Sequence, residues 1–299
     1  MKIIQFFRQL IRNNHSIRSF VAYNLASSGL FDKFILDNPI SKIWEKRIED
    51  VKNCPDNEHI TRVADAGKVV KGKQIMHNGL KIHLGSYYGP EVATQLLINK
   101  GVHEPQEEYV FLEVLKASIR KGATMVELGA FWSFYSMWFN SEVEDAKNYM
   151  VEPDKFNMGF GIRNFKLNKM SGNFTNAFVS FRSNNSSKPE TICIDDFVKT
   201  NHIEFIDLLH SDIQGYELEM LKGAEAFIDQ DKIGYLFIST HSNEVHQQCL
   251  EFLLIKDYLI LTDIDLNETF SIDGLIVARS KKYPGITSIS VSKKITIAG

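Results

Sequence analysis

The sequence predicts an α/β protein built on a doubly wound, seven-stranded sheet whose last strand is antiparallel. Three observations indicate this fold. After Gly122, apolar runs alternate with helical patterns, as in a parallel sheet that is covered on both faces. Only the segment LNETFSI separates the last two apolar runs, which is too short for a crossover helix and fits an antiparallel return. With 299 residues, 44% of them hydrophobic, the chain can bury such a core.

Seven apolar runs are assigned to the sheet, five as parallel strands and two as the closing pair. The predicted strands are Thr124–Ala130, Lys147–Pro153, Asn173–Ser180, Ile206–Ile213, Ile233–Thr240, Tyr258–Ile264 and Asp273–Ser280. The sheet belongs to a predicted Rossmann-like domain over residues 79–299, which opens with strand-like segments and two helices. One of these helices ends at Gly101, and the other has Pro105 in its first turn.

The preceding residues 1–78 are predicted to form a mainly helical accessory region. Asn38-Pro39 and the polar run NCPDNEH interrupt it as turns. Near the N-terminus, Ile3, Phe6, Phe7, Leu10 and Ile11 repeat at helical spacing. We expect such helices to pack on their own protein or to form a homo-oligomer, with docking on a membrane surface as the alternative.

Composition excludes several classes of function. A formal net charge of −3 gives no broad positive field, so nucleic acid is not an expected partner. No uncharged apolar stretch approaches the roughly 20 residues of a transmembrane helix. Three scattered cysteines, with no Cys-x-x-Cys pair, indicate neither disulfides nor a zinc knuckle, so a cytoplasmic location is expected.

The segment MVELGAFWSFYS carries the first part of a predicted cofactor site. Glu127 lies at the end of the first strand and Gly129 in the turn before a helix whose N-terminus faces the bound group. A pyrophosphate-binding loop would need three glycines, whereas the loop here continues with bulkier residues. A nucleoside cofactor without phosphate is therefore favoured. The loop residues predicted to contact it are Ala130, Phe131, Trp132 and Ser133.

Two further strand ends complete that site. Glu152 ends the second strand, where a carboxylate can accept hydrogen bonds from both hydroxyls of a ribose. Asn176, which we place at the end of the third strand, is either a contact to the adenine edge or an ordinary turn asparagine.

The substrate side is predicted at the fourth and fifth strands. Asp212 and His241 follow these strands, and His210 precedes Asp212 by two residues on the same strand face. An alcohol needs a base that takes its proton, so Asp212 and His241 are the predicted catalytic residues. In a less favoured alternative, His210, Asp212 and His241 hold a divalent metal. The predicted acceptor-binding residues are Trp132, Gln214, His241 and Tyr88.

The motifs VELGAFWSFYS, VEPDKFN, TICIDDFV and IDLLHSDIQGYELEMLKGA, in this order, resemble the FkbM family of S-adenosylmethionine-dependent methyltransferases. The resemblance extends over about residues 79–279. It implies a class I methyltransferase fold, S-adenosylmethionine as the cofactor with Asp212 among its contacts, and O-methylation of a sugar, glycan or similar small molecule. Gln214 and Ser133 depart from the family pattern, which often has glutamate and glycine at these positions.

Two other functions compete with this hypothesis. A nicotinamide-dependent oxidoreductase on a similar sheet would bind NAD and not S-adenosylhomocysteine, although the missing glycines weaken this alternative. A non-catalytic binding protein with the same fold would be insensitive to Glu152→Ala. The sequence itself does not identify the methyl acceptor.

Overall fold

The computed structural model describes residues 39–294, together with residues 29, 32, 36 and 37. The apolar pattern that begins at Ile3, on which the expected homo-oligomer depends, lies outside the described residues. Among the helices within the described ranges, none has both the length and the hydropathy of a bilayer-spanning segment.

The chain before the main sheet combines helices with a small antiparallel sheet. Its elements are α1 (Lys42–Asn53), a 3-10 helix (Pro55–His59), β1 (Val69–Val70), β2 (Lys73–Ile75) and β3 (Lys81–His83). Lys71 and Gly72, with φ angles of 51° and 72°, form the tight turn between β1 and β2. The predicted boundary at residue 78 falls within this small sheet, between β2 and β3. Strands β1 and β2 lie in the region that was predicted to be mainly helical.

Two helices then lead into the main sheet, as the sequence predicts. They are α2 (Pro90–Ile98) and α3 (Pro105–Ser118), and each begins on a proline, whose missing N–H is not needed in a first turn. The carboxylate of Glu108 accepts hydrogen bonds from the backbone N–H groups of His103 and Glu104. These bonds fix the start of α3 against the loop that precedes it.

The main sheet has seven strands, and the prediction of an antiparallel last strand is confirmed. The strands are β4 (Thr124–Leu128), β5 (Lys147–Val151), β6 (Asn173–Thr175), β9 (Ile206–Ser211), β10 (Ile233–Thr240), β11 (Tyr258–Ile264) and β12 (Gly274–Ser280). Their spatial order is β11-β12-β10-β9-β4-β5-β6. Neighbours from β10 to β6 pair in parallel, whereas β12 is antiparallel to both β10 and β11. This is the class I methyltransferase arrangement that the sequence predicts.

The third predicted strand, Asn173–Ser180, divides into two strands. Only β6 joins the main sheet, while β7 (Ala177–Val179) pairs in parallel with β8 (Glu190–Ile192). The division falls at Asn176, whose side-chain amide donates hydrogen bonds to the backbone carbonyls of Glu152 and Pro153 at 2.9 and 2.7 Å. These bonds hold the chain at the end of β5 while its continuation turns into the second sheet.

Helices cover both faces of the sheet. They are α4 (Phe134–Glu142), α5 (Lys155–Leu167), α6 (Ile194–Thr200), α7 (Glu217–Gly223), α8 (Glu225–Asp229) and α9 (Asn243–Ile255). One hydrophobic layer contains Phe111, Phe134 and Trp138, and the other contains Val126, Leu209 and Ile238. Each such buried side chain stabilises the fold by about 1.5–3 kcal/mol, which keeps the strand ends in a fixed arrangement.

Candidate functional site

A sharp turn joins β4 to α4 at the carboxyl edge of the sheet. The N–H groups of Gly129 and Ala130 both donate to the carbonyl of Val151, at 2.9 and 3.0 Å. Gly129 has a φ of 74°, and a Cβ atom built on it would lie 1.8 Å from the backbone oxygen of Asp212. The backbone of the turn therefore lies against the end of β9, with no space for a side chain between them.

Glu152, at the end of β5, faces this turn. Its Oε2 accepts a hydrogen bond from the N–H of Phe131 at 3.1 Å, and its Oε1 accepts one from the N–H of Asp154 at 2.9 Å. Burial raises the pKa of this carboxyl group, and the two N–H donors oppose the shift. Since each carboxylate oxygen can accept a further hydrogen bond, Glu152 can still accept bonds from a ligand.

A cavity of about 490 Å³ opens beside these two residues. Its volume lies within the range of about 300–1,000 Å³ that is common for small-molecule sites. Its lining includes Gly129, Phe131, Glu152, Ile213 and residues 177–180. The remaining lining residues are Tyr87, Tyr88, Val151, Pro153, Asn157, Thr191, Asp212, Gln214 and Tyr216. Most of this surface is apolar or aromatic, which suits a nucleoside base, while Glu152 supplies a polar group for its sugar.

Four of the residues predicted to bind a cofactor, unlike Gly129 and Phe131, do not line the cavity: Glu127, Ala130, Trp132 and Ser133. Glu127 is buried and accepts a hydrogen bond from the N–H of Ser136, in the first turn of α4, at 3.1 Å. Burial raises its pKa to about 7, against the opposing charge of His210. Ala130, Trp132 and Ser133 are also buried and outside the lining. Glu127 therefore fixes the start of α4, directly behind the turn.

Aromatic rings stack over the same turn. The Tyr87 ring lies 4.5 Å from Trp132 at an interplanar angle of 12°, and it also contacts Phe131 edge to face. Tyr88 also contacts Phe131 edge to face and is half exposed. The segment before α2 therefore covers the turn with two tyrosines, of which the sequence indicated Tyr88 as an acceptor contact. Asn176 does not line the cavity, since its amide holds the backbone of Glu152.

At the polar end of the cavity, the structure brings the two predicted catalytic residues together. His241 Nε2 lies 3.2 Å from Asp212 Oδ1, and the amide nitrogen of Gln214 lies 3.0 Å from that oxygen. His241 Nδ1 donates to Glu217 Oε1 at 2.8 Å, and its Nε2 is also 3.5 Å from Asp273 Oδ1. One imidazole therefore lies among three carboxylates.

Burial and the neighbouring side chains shift the pKa values of His241, Asp212 and Asp273. Burial lowers the pKa of His241, but hydrogen bonds with Asp212 and Glu217 outweigh it and raise that pKa to about 10. For Asp212, burial is outweighed by the hydrogen bond with His241, and the pKa is lowered. Asp273 has a pKa raised to about 7 because burial exceeds the effect of His241. Of the two aspartates, Asp273 therefore has the higher affinity for a proton.

His210 lies apart from that group. Its Nε2 is 2.6 Å from Glu107 Oε1 on α3, and both side chains are buried. The carboxylate of Glu107 overcomes burial and raises the pKa of His210 to about 9. His210 and Glu107 therefore form an ion pair between α3 and the sheet, whereas Asp273 takes the third position beside Asp212 and His241.

Sequence reasoning did not identify Asp273, Glu217 or Glu107 as site residues. Asp273 is the first residue of a predicted antiparallel strand, and such a strand begins at the edge where the parallel strands end. This topology was the signal that could have placed Asp273 at the site. Glu217 and Glu107 follow ordinary helix-start patterns, so nothing in the sequence separates them from surface residues.

Comparison with known proteins supports the predicted resemblance. Residues 140–267 match the family model described as the methyltransferase FkbM domain. This segment contains Glu152, Asp212 and His241, and it excludes the Gly129 turn and Asp273. The match confirms the resemblance over these residues. It supports the prediction that the chain is a methyltransferase that depends on S-adenosylmethionine. No curated protein matches the chain in sequence.

Three solved structures of similar fold, all of low sequence identity, carry methyltransferase names. A precorrin-6y C5,15-methyltransferase from Geobacter metallireducens is 14% identical, covers 58% of this chain and 88% of its own, and has a TM-score of 0.41. TrmK from M. capricolum, solved in complex with S-adenosylhomocysteine, is 16% identical, with 62% and 71% covered and a TM-score of 0.41. A putative SAM-dependent methyltransferase from Streptococcus mutans is 12% identical, with 71% and 56% covered and a TM-score of 0.43.

Proposed function

Starting from the FkbM-type match of residues 140–267, we propose that this chain transfers a methyl group from S-adenosylmethionine to a hydroxyl of a sugar, glycan or similar polar metabolite. The observation that carries the proposal is the position of Glu152. Its carboxylate faces the Gly129 turn across adjacent strands and lines a cavity of about 490 Å³. A carboxylate at the end of the second strand is the group that binds ribose hydroxyls in nucleotide-binding sheets of this kind.

The residues around the cavity fit the parts of that cofactor. Glu152 would accept from the ribose hydroxyls, and the Ala177–Ser180 wall with Ile213 would contact the adenine ring. The space around Gly129 would admit the chain that carries the sulfonium. When bound, S-adenosylmethionine supplies an electrophilic methyl group. The predicted cofactor contacts through Glu127 and Ser133 become indirect in this proposal, because both side chains are buried behind the wall.

The polar end of the cavity would receive the acceptor. Asp212 and Gln214 line it, and His241 contacts both of them. A hydroxyl placed there needs a group that removes its proton, and a carboxylate of this cluster can accept one. Asp212 and His241 remain the proposed catalytic residues, and the geometry adds Asp273 as a candidate base.

An acceptor with apolar and hydroxyl faces suits the rim of the cavity. Tyr88 and Tyr216 line the cavity and are each about half exposed, with relative accessibilities of 51% and 57%. Exposed aromatic rings beside carboxylates form a surface on which the apolar face of a sugar ring packs while its hydroxyls form hydrogen bonds. This combination supports a carbohydrate or a similar polyhydroxylated metabolite as the acceptor.

Calorimetry tests the proposal directly. We expect the full chain to bind S-adenosylhomocysteine and not NAD, and Glu152→Ala to weaken that binding by about tenfold to hundredfold. The reason is the loss of a charged acceptor, which contributes about 1.5–3 kcal/mol per hydrogen bond. Glu144→Ala is the matched control, because its side chain is 71% exposed and lies at the opposite end of β5. We expect Asp212→Ala and His241→Ala to retain most of the affinity and to lose turnover.

Three results would argue against this function. Absence of S-adenosylhomocysteine binding at high micromolar concentration would exclude it, and tight binding of NAD would favour the oxidoreductase instead. Unchanged affinity in Glu152→Ala would indicate a different binding mode. Thermal unfolding of each variant separates loss of binding from loss of fold, since Glu152 also accepts a bond from the turn at Phe131.

A further inference from the structure

Three neighbouring strands present metal-ligand side chains at one edge of the sheet. Asp212 follows β9, His241 follows β10, and Asp273 precedes β12, and these strands are adjacent in the order β9-β10-β12. One carboxylate oxygen from each aspartate and one nitrogen of His241 all lie within 4.8 Å of one another. Because β12 is antiparallel, its first residue meets the last residues of β9 and β10.

The distances in this group agree with shared coordination of one ion. His241 Nε2 lies 3.2 Å from Asp212 Oδ1 and 3.5 Å from Asp273 Oδ1. Two ligand atoms bound at right angles, each about 2.1 Å from a metal, are about 3 Å apart. Small side-chain rotations would therefore bring the three atoms onto one face of an octahedral ion.

Glu217 holds the imidazole in the orientation that coordination needs. Its Oε1 accepts from His241 Nδ1 at 2.8 Å and from the N–H of Gly215 at 2.9 Å, and its side chain is fully buried. Because Nδ1 donates to this carboxylate, Nε2 points toward Asp212 and Asp273. A histidine that ligates a metal usually donates its other ring N–H to a carboxylate, a backbone carbonyl or a water, and Glu217 is a partner of the first kind.

The charges of the group favour a dication. Three carboxylates, of Asp212, Glu217 and Asp273, surround one imidazole, which carries at most a single positive charge. A divalent ion would relieve the repulsion between the two aspartates that face each other across His241. The ligands are one nitrogen and two oxygens, a set that first-row divalent ions accept.

We propose that Asp212, His241 and Asp273 bind a first-row divalent cation such as Mn²⁺, with Glu217 as the positioning residue for His241. The proposed role of the ion rests on the proposed function, because Asp212 also lines the cofactor cavity. A cation at this place orients and polarises the oxygen of an acceptor hydroxyl. The ligand set differs from the sequence hypothesis, since Asp273 replaces His210, which is paired with Glu107.

Electron paramagnetic resonance of Mn²⁺ measures this binding without any activity assay. The full chain is treated with EDTA, desalted and titrated with MnCl₂ in the absence of S-adenosylhomocysteine, and the signal of free Mn²⁺ is followed. We expect one site per chain, weakened more than about tenfold by Asp273→Asn and about tenfold to hundredfold by Glu217→Gln. The matched control is Asp263→Asn, which removes the carboxylate 2.9 Å from His246 on a second histidine–aspartate pair.

The possible results separate the two proposals. Absence of Mn²⁺ binding below about 1 mM, or equal affinity in the unmodified chain and Asp273→Asn, would overturn the metal site. His241→Gln provides a second ligand variant, and thermal unfolding identifies any variant that fails to fold. Calorimetry of the EDTA-treated chain with S-adenosylhomocysteine is the parallel experiment. Cofactor binding without Mn²⁺ binding rejects only the metal site, whereas Mn²⁺ binding without cofactor binding rejects only the proposed methyl transfer.

Discussion

Gly129 determines how closely two strand ends can approach each other. Its backbone lies against the carbonyl of Asp212, at a place where the first atom of any side chain would overlap that oxygen. The sequence predicted a glycine turn at this position, because the motif places Gly129 directly after a strand. It could not predict the contact with Asp212, since that depends on the pairing of β4 with β9.

Gly129→Ala and Gly122→Ala together measure how much the close contact with Asp212 matters. Both glycines have a similar positive φ, 74° and 77°, but a Cβ on Gly122 would have no atom within 4 Å. We expect Gly122→Ala to lower the free energy of unfolding by about 1 kcal/mol, from backbone strain alone. Gly129→Ala should cost more, because β4 and β9 must move apart, and should abolish S-adenosylhomocysteine binding.

Urea unfolding and calorimetry measure the two effects in this pair. Equal stabilities for the two variants would mean that the contact between Gly129 and Asp212 is easily relieved. Retained cofactor binding in Gly129→Ala would show that the turn does not form part of the cofactor site.

At the scale of elements, strand positions were predictable where the strand forms a continuous apolar run. The β10 and β11 bounds agree with the prediction, and β4, β5 and β9 end within two residues of it. Strands covered on both sides produce continuous apolar runs, which are visible in the sequence. The division of Asn173–Ser180 was not visible, because the run continues through Asn176 while its amide bonds to the neighbouring strand end.

The residues of the candidate site also divide into those that the local sequence pattern predicts and those that depend on distant packing. Glu152, Asp212 and His241 follow apolar runs, so their shared edge could be predicted from strand order. Asp273 shares that edge only because β12 is reversed, and Glu217 contributes through a contact between a helix start and a strand end. The reversal of β12 was predicted and could have placed Asp273 at this edge, whereas the contact of Glu217 arises from packing between distant segments and leaves no local pattern.

Asn176→Ala tests the junction between β5 and β7. This change leaves the carbonyls of Glu152 and Pro153 without their side-chain donor, so we expect a loss of about 1–3 kcal/mol in unfolding free energy. Because Glu152 is anchored there, S-adenosylhomocysteine binding should also weaken. Asn201→Ala is the control, since the side chain of Asn201 donates one comparable bond to the carbonyl of Phe197 in α6, and Asn201 does not line the cavity.

Denaturant unfolding, together with calorimetry, distinguishes these effects. If Asn176→Ala destabilises the chain but binds the cofactor normally, Asn176 would be a structural anchor only. Equal stability in the two asparagine variants would contradict the proposed importance of the junction between β5 and β7.

At the scale of the whole molecule, the last described residues return to the chain that precedes the sheet. Both the N–H and the hydroxyl of Ser292 donate to the carboxylate of Asp56, each at 3.0 Å. The carbonyl of Ser292 accepts from the side-chain amide of Gln106 at 2.7 Å. Nearer the sheet, the hydroxyl of Tyr283 donates to buried Asp207 on β9. The segment after β12 therefore connects the region before residue 78 with α3 and the sheet.

This connection predicts that Asp56→Ala destabilises the molecule as one unit. Asp56 is buried, and its removal leaves the N–H of Ser292 without an acceptor, which costs about 1–3 kcal/mol. The control is Lys294→Ala, which removes a partly exposed ion pair with Asp50 and should cost at most about 1 kcal/mol. Differential scanning calorimetry should show one transition, at a lower midpoint in Asp56→Ala. A separate early transition, with the main peak unchanged, would instead mean that the chain before the main sheet unfolds independently and that Ser292 does not couple it to the sheet.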